Sequence, residues 1–273
     1  MEIFANHAHL WPEGTYQGIK GGLGNLLRIM DKCGISKAVV FAPLDGELGD
    51  SGDRKRNEWL LNEIKEHRDR LVPFANIAVT HPLAHQEAQW AAESGFKGIK
   101  LHPSASKFNI LDERATGFYE EAQKQKLILD FHTGVHCDNR IKDFHPLNFD
   151  ELSYMFPNLT MIFEHVGGFC FFYDMLAVLQ NGKKPGGENK LYAGLTSILS
   201  RNRQKEWYLG TEKIGELIWQ LGVDQLIYGL DFPWNQEEHI MQDFAIFDRM
   251  DISADDREKI FGGNLRKLLF SGK

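Results

Sequence analysis

The sequence has few cysteines and no long apolar run. Its three cysteines, Cys33, Cys137 and Cys170, are far apart and form no CxxC pair. This spacing argues against a disulfide scaffold and against a cysteine zinc cluster. No stretch approaches the roughly 18 uninterrupted apolar residues that a membrane-spanning helix requires. The first residues lack a basic segment followed by an apolar run, so no secretory signal is expected and the cytoplasm is the expected location.

The sequence also lacks an excess of positive charge. Lysine and arginine total 31 against 38 aspartates and glutamates, which gives a net charge of −7. Such a protein is poorly suited to binding nucleic acid or an anionic membrane over a broad surface. The partner expected from the charge is therefore a small-molecule substrate, and binding to nucleic acid or to a membrane is not expected.

Short runs rich in apolar, β-branched or aromatic residues recur along the chain. The eight runs are Glu2–Asn6, Lys37–Ala42, Val72–Ile77, Gly98–Leu101, Leu127–Phe131, Thr160–Phe163, Leu191–Leu195 and Gln225–Tyr228. Each run suits a strand buried on both faces, and residues at helical spacing fill the gaps between them. Eight alternating strands and helices in 273 residues predict an α/β fold, a single-domain (β/α)8 TIM barrel over residues 1–273.

An open, doubly wound sheet is the structural alternative. That fold normally carries a glycine-rich dinucleotide-binding turn after its first strand. This chain has His7-Ala-His-Leu-Trp11 at that position. The closed barrel is therefore the preferred interpretation.

Residue types that bind metals follow or end several of the predicted strands. His7 and His9 follow strand 1, His132 follows strand 5, His165 follows strand 6 and Asp231 follows strand 8. In a barrel, the carboxyl ends of the strands form the active-site face, and residues i and i+2 of a strand share one side. The imidazoles of His7, His9 and His132 together with the carboxylate of Asp231 suit one divalent metal. Zinc is the first choice, with manganese, iron or cobalt as alternatives. Taken singly, each histidine could be a hydrogen-bonded core or capping residue, and Asp231 a turn former.

Further candidates are predicted to face a substrate. Strand 4 ends in Lys100 and His102, and the loops at the rim of the barrel carry more polar and aromatic residues. The rim candidates are Trp11, Arg54, Arg56, Asn57, His136, His145 and Trp234. An arginine could hold a substrate carboxylate, but for each residue taken singly a solvated charge run from Asp53 to Asn57 is the preferred explanation. Lys100 could be carboxylated and bridge two metals, or it could orient the substrate or pair with Asp130; one metal is the preferred interpretation.

Several motifs, in order along the chain, resemble the second amidohydrolase family, the group related to aminocarboxymuconate semialdehyde decarboxylase. They are His7-Ala-His9, Gly95-Phe-Lys-Gly-Ile-Lys-Leu-His-Pro103, Phe131-His-Thr-Gly134, Glu164-His-Val-Gly-Gly168, Tyr228-Gly-Leu-Asp-Phe-Pro233 and Lys259-Ile-Phe-Gly-Gly-Asn-Leu-Arg266.

The resemblance implies a barrel with one catalytic metal, in which His7, His9, His132 and Asp231 match the ligands. It also implies that His165 contacts the metal-bound water or the substrate. Relatives in the family are often homodimers. The chain departs from the family at Ala5, where an acidic residue is common two positions before the first histidine. That change leaves the ligand set intact.

The expected activity is hydrolysis of a small lactone, ester or amide by a metal-activated water, with Asp231 or His165 accepting the proton. Non-oxidative decarboxylation of an unsaturated or aromatic acid at the same metal site is the alternative. More distant alternatives are a TatD-type nuclease, a barrel that binds a ligand without turnover and a metal-independent lactonase. Lys100 stands where the nuclease would carry a glutamate, and the acidic net charge also disfavours that function.

Overall fold

A computed structural model describes residues 1–12, 15–16, 18–44, 52–136, 139–182, 190–202 and 204–270. Its centre is one parallel sheet. The strands are β1 (Ile3–His9), β2 (Ile35–Phe41), β3 (Leu71–Asn76), β4 (Gly98–Leu101), β5 (Ile128–His132), β6 (Thr160–Glu164), β7 (Leu191–Gly194), β8 (Leu226–Ile227) and β9 (Gly229–Phe232). Their order in the sheet is β8-β7-β6-β5-β4-β3-β2-β1-β9. A two-stranded antiparallel pair, Thr15–Tyr16 with Ile19–Lys20, lies outside this sheet.

The two ends of the sheet are joined by a single residue. β8 pairs with β7 through Leu226 and Ile227, and β9 pairs with β1. Only Tyr228 separates β8 from β9, and its backbone carbonyl accepts a hydrogen bond from the Asn6 amide at 2.9 Å. β8 and β9 therefore act as one interrupted strand that closes the sheet, which confirms the predicted (β/α)8 barrel.

Helices surround the barrel. They are α1 (Leu23–Cys33), α2 (Gly52–Glu63), α3 (Ala84–Glu93), α4 (Thr116–Lys124), α5 (Pro146–Met155), α6 (Gly168–Asn181), α7 (Gly210–Leu221), α8 (Glu237–Phe247), α9 (Ala254–Glu258) and α10 (Asn264–Phe270). Gly34 ends α1 in the left-handed conformation, at φ 67°. Ser253 caps α9 by accepting a hydrogen bond from the Asp256 amide at 3.0 Å. No helix within the described ranges is both long and apolar enough to cross a membrane.

Apolar side chains form two separate layers. The outer layer packs between strands and helices, and it includes Ile3, Ala5 and Ala8. The inner layer fills the lower part of the barrel with Phe4, Val39, Phe41, Val72, Phe74, Ile128, Ile162, Ile227 and Leu265. The side-chain Nδ2 of Asn264 donates hydrogen bonds to the backbone carbonyls of Val223 and Leu226, at 2.7 and 2.8 Å. These bonds fix α10 beneath the inner layer. The upper end of the barrel is left for polar residues.

Two strand boundaries differ from the sequence prediction in a way that affects the site. The first strand continues through His9 instead of ending at Asn6, and the last strand resumes after Tyr228 and includes Asp231. Gly229 resembles a turn residue in the sequence, but it lies in the sheet. A Cβ there would lie only 2.0 Å from Thr196 Oγ1, so glycine allows β9 to approach the segment that follows β7 closely.

We expect Gly98→Ala to destabilise the barrel by about 2 kcal/mol or more, because the inner layer has no room for a methyl group. A Cβ at Gly98 would lie 2.5 Å from both the Ile128 carbonyl oxygen and the Phe74 ring. The matched control is Gly215→Ala in the middle of α7, where a Cβ meets nothing within 4 Å. That control should stabilise by up to roughly 1 kcal/mol. Urea unfolding of both variants tests this, and an unchanged midpoint for Gly98→Ala would contradict it.

We expect stability to depend on pH through Asp243, a buried acid on α8. Burial raises the pKa of Asp243 to about 7 from 3.8, although the Tyr228 hydroxyl donates a hydrogen bond to it at 3.4 Å. Because the pKa of Asp243 is higher in the folded than in the unfolded protein, the contribution of this group to stability is greatest below pH 3.8. That contribution is lost as the pH rises to about 7.

Asp243→Asn should therefore be more stable than the wild type at pH 8, and its advantage should shrink by about 2–3 kcal/mol at pH 5. Urea titrations at the two pH values measure the difference. Asp251→Asn, at an exposed aspartate, is the control and should show no such trend. Equal effects of Asp243→Asn at both pH values would contradict the assignment.

Candidate metal centre

A bulge in β1 turns two histidines into the barrel. Phe4 faces the inner apolar layer, so strict alternation would send His7 outward. Instead, the pairing register shifts between Asn6 and Ala8, and His7 has φ 65°. Ala8 consequently packs in the outer layer. His7 and His9 therefore point inward, as Asn6 does by regular alternation from Phe4.

The three ligand atoms at the centre of the site converge. His7 Nε2 lies 3.2 Å from His9 Nε2 and 3.5 Å from Asp231 Oδ1. All three atoms lie within 4.8 Å of one another, and the side chains are buried. Around a tetrahedral ion at about 2.0–2.1 Å from each ligand, ligand atoms lie about 3.3–3.4 Å apart. The spacing and the donor types therefore fit a divalent metal ion.

The protonation states expected of this cluster also suit a metal. Burial, reinforced by the positive charge of Lys100, holds the pKa of His7 well below its usual range, so the imidazole is neutral. Burial likewise lowers the pKa of His9. Burial raises the pKa of Asp231 to about 6, opposed by a hydrogen bond that its Oδ2 accepts from the Ser197 hydroxyl. Neutral histidines and a carboxylate are the forms that coordinate metals.

His132 lies beside this cluster and not within it. It belongs to neither set of three ligand atoms that lie within 4.8 Å of one another among the described residues. Its ring stacks on His102 at 3.9 Å, with 10° between the planes. His132 Nε2 is buried and has no hydrogen-bond partner in the described part of the chain. A buried nitrogen without a partner is costly, so this atom suits a fourth ligand.

His165 presents one nitrogen to the pocket. Its Nδ1 lies 2.8 Å from the Thr196 carbonyl oxygen, which can only accept, so Nδ1 carries the proton and Nε2 carries a lone pair. The His165 ring centroid lies 5.6 Å from that of His7 and stacks on Trp207 at 4.3 Å. Burial lowers the pKa of His165 to about 3. It is therefore a neutral hydrogen-bond acceptor near the centre.

A buried charged layer lies beneath the histidines. Lys100 Nζ donates to Asp130 Oδ1 at 2.9 Å, and both side chains are fully buried. Asn6 Nδ2 donates to Asp130 Oδ2 at 2.6 Å and to Glu164 Oε1 at 2.5 Å. The Thr196 hydroxyl donates to Glu164 Oε2. Of the roles considered for Lys100, pairing with Asp130 is the one present in the structure.

Several predicted rim residues do surround the centre. The Trp234 ring lies 5.0 Å from that of His9 and 5.5 Å from that of Trp11. The His136 ring lies 5.4 Å from that of His132 and 5.6 Å from that of His102. These aromatic side chains form walls on opposite sides of the cluster.

Other predicted rim residues make packing contacts elsewhere. Arg54 binds Glu87 through two hydrogen bonds, at 2.8 and 2.9 Å, and its guanidinium lies 3.9 Å over the Trp90 ring. Asn57 exchanges two hydrogen bonds of 2.9 Å with the backbone of Asn76. His145 caps α5. In the structure Arg54 joins α2 to α3 and Asn57 joins α2 to β3, and the substrate roles suggested for these two residues stay predictions.

Arg56 is buried and pairs with Asp53.

Three residues of the site, Asn6, Glu164 and Trp207, have no role predicted from the sequence, and Asp130 is expected only as a partner of Lys100. Asn6 faces inward, two residues after Phe4, and donates hydrogen bonds to both Asp130 and Glu164, which come from the next inward level below His132 and His165. Strand alternation offered a signal for Asp130, two residues before His132. Nothing in the sequence places Trp207 against His165, since it comes from an irregular loop.

Comparisons with known proteins agree with this architecture. The profile of the family described as amidohydrolase matches residues 7–270. A dihydroorotase from Helicobacter pylori is 30% identical over 141 residues, which cover 48% of this chain and 40% of that protein. The chain thus matches only about two fifths of the length of this curated relative.

Solved structures are also similar. An uncharacterised TIM-barrel protein from Bordetella bronchiseptica has a TM-score of 0.78 at 18% identity, over 98% of both chains. A dihydroxybenzoic acid decarboxylase from Polaromonas sp. JS666, with bound manganese and the inhibitor 2-nitroresorcinol, has a TM-score of 0.72 at 16% identity, over 100% of this chain and 98% of that one. At these identities the two structures establish the fold, and the profile match over nearly the whole length establishes that the chain belongs to the amidohydrolase family.

Proposed function

We propose that this protein is a metal-dependent hydrolase that acts on a small lactone, ester or amide. The observation that carries the proposal is the convergence of His7 Nε2, His9 Nε2 and Asp231 Oδ1 at the carboxyl end of the barrel. Because the chain belongs to the amidohydrolase family, an enzymatic function is favoured over a function in ligand binding alone.

The residues that would hold the ion are His7, His9 and Asp231, with the buried Nε2 of His132 as the fourth donor. Zinc suits nitrogen and oxygen ligands at this spacing, and manganese is the second choice. When bound, the metal would lower the pKa of a water and polarise a substrate carbonyl.

The protein's own groups divide the remaining work. Asp231 is the group to which we assign proton acceptance, because its carboxylate lies at the centre of the site, 3.5 Å from His7 Nε2. Ser197 holds Asp231 in place, and Asn235 donates to Ser197 Oγ at 2.9 Å. His165 Nε2 orients the proton of a water or of a substrate hydroxyl by accepting a hydrogen bond.

Decarboxylation of an unsaturated or aromatic acid is the second candidate, and one observation favours it. Flat rings line the pocket in stacked pairs, His102 on His132 and Trp207 on His165. Such walls suit a planar substrate. Both reactions use the same ligands, so the identity of the product distinguishes them.

We expect the purified wild type to contain about one divalent metal per chain, measured by elemental mass spectrometry. His7→Ala and Asp231→Ala should each lose it, because each removes one of the converging atoms. His85→Ala, which removes an exposed histidine on α3, is the matched control and should keep it. A metal-free wild type that also fails to bind added zinc or manganese would contradict the proposal.

We expect His165→Asn to lower kcat by about 10²-fold or more while leaving metal content unchanged. Asparagine can still donate to the Thr196 carbonyl, but it lacks the lone pair of Nε2. Hydrolysis is measured on a panel of lactones, esters and amides. Decarboxylation is measured separately on aromatic and unsaturated acids, by detecting carbon dioxide. Full turnover by the variant would contradict the role of His165, and carbon dioxide release by the wild type would select the second candidate.

A further inference from the structure

We propose that Glu164 is a positioning residue for the metal centre, which fixes His7 in the tautomer that carries its proton on Nδ1. The inference rests on the proposed function, because it assigns His7 Nε2 to the metal. Glu164 would act only through His7, since it lies in the buried layer below the pocket.

The surroundings of His7 differ on its two sides. His7 Nδ1 faces two acids, Glu164 Oε1 at 3.5 Å and Asp130 Oδ1 at 3.8 Å. His7 Nε2 faces His9 and Asp231. A neutral imidazole carries one proton, and carboxylate oxygens accept protons in hydrogen bonds. Nε2 also faces one carboxylate, Asp231 Oδ1 at 3.5 Å, so the preference for a proton on Nδ1 comes from two acids on that side against one on the other. A proton on Nδ1 leaves the lone pair on Nε2.

Glu164 is the better placed of the two acids. Asp130 Oδ1 already accepts a hydrogen bond from Lys100 at 2.9 Å, and this ion pair offsets the charge of Asp130. Glu164 Oε1 is closer to His7, and its other partner is the amide of Asn6. His7 Nδ1 has no hydrogen-bond partner in the described part of the chain, so Glu164 acts on it at 3.5 Å through its charge.

The Glu164 carboxylate is itself held rigidly. The Thr196 hydroxyl and Asn6 Nδ2 each donate to one of its oxygens. On the β7 side, a Cβ at Gly194 would lie 2.3 Å from Glu164 Oε2, so the backbone of β7 closes against the carboxylate. A carboxylate that cannot rotate can orient an imidazole, and such partners of metal-binding histidines affect metal affinity.

The first measurement is made on metal-free wild-type protein labelled with ¹⁵N-histidine. The His7 signals, assigned with His7→Ala, should show a proton on Nδ1. A proton on Nε2 would overturn the inference, and this measurement needs no bound metal.

The second measurement compares Glu164→Gln with the wild type by zinc competition against a chelator and by the absorption spectrum of the cobalt-loaded protein. We expect affinity to fall about 10- to 100-fold, with an altered cobalt spectrum and a mixed His7 tautomer. Asp243→Asn, which removes another buried acid, on α8 and outside both sets of converging ligand atoms, is the matched control and should leave all three readouts unchanged. Thermal unfolding of the metal-free variants verifies that they are folded.

The outcomes separate the two proposals. Wild-type affinity and tautomer in folded Glu164→Gln would overturn the inference and leave the metal centre standing. Absence of metal binding by the wild type would overturn the proposed function, whereas the tautomer measurement would still decide the role of Glu164.

Discussion

The upper half of this barrel depends on the hydrogen bonds that Asn6 makes to two buried acids. Asn6 Nδ2 joins Asp130 on β5 to Glu164 on β6, and Lys100 on β4 compensates the charge of Asp130. Removing one partner of such a buried pair typically costs about 3–5 kcal/mol, because the other charge is left without compensation. The two acids also lie directly below His7, whose Nδ1 is 3.8 Å from Asp130 Oδ1 and 3.5 Å from Glu164 Oε1. Stability and the orientation of the metal-binding side chains thus depend on the same atoms.

Backbone conformations that are unfavourable for side chains are concentrated around the site. His7, His165 and Asp231 have φ values of 65°, 64° and 55°, and Ser197, which bonds to Asp231, has 56°. Each such residue costs roughly 1 kcal/mol or more. The surrounding barrel over-determines these conformations. In β1 the unusual backbone of His7 goes with the register shift that turns its side chain into the pocket.

The fold and the central candidates could be predicted from the sequence because they follow from periodicity. Eight buried runs require a layered sheet, and His7, His9 and Asp231 stand at strand ends, where a barrel gathers its functional groups. The bulge in β1 could not be predicted, since no residue in Asn6-His-Ala-His marks it. The contacts of Arg54 could not be predicted either, because they depend on how α2 packs against Glu87 and Trp90 of α3. Loop residues such as Trp207 depend on tertiary packing that periodicity does not encode.

The interrupted last strand gives the site a topological property. β9 carries Asp231 and pairs with β1, which carries His7 and His9, so the cluster spans the seam where the first and last parts of the chain meet. A portion of the chain that ends before β9 lacks one of these three donors, because Asp231 arrives with the final strand. An ion bound there would hold β1 and β9 together. It would raise the free energy of unfolding, because unfolding would have to release the ion as well as open the sheet. Assembly of the centre is thereby delayed until the chain has folded along nearly its whole length.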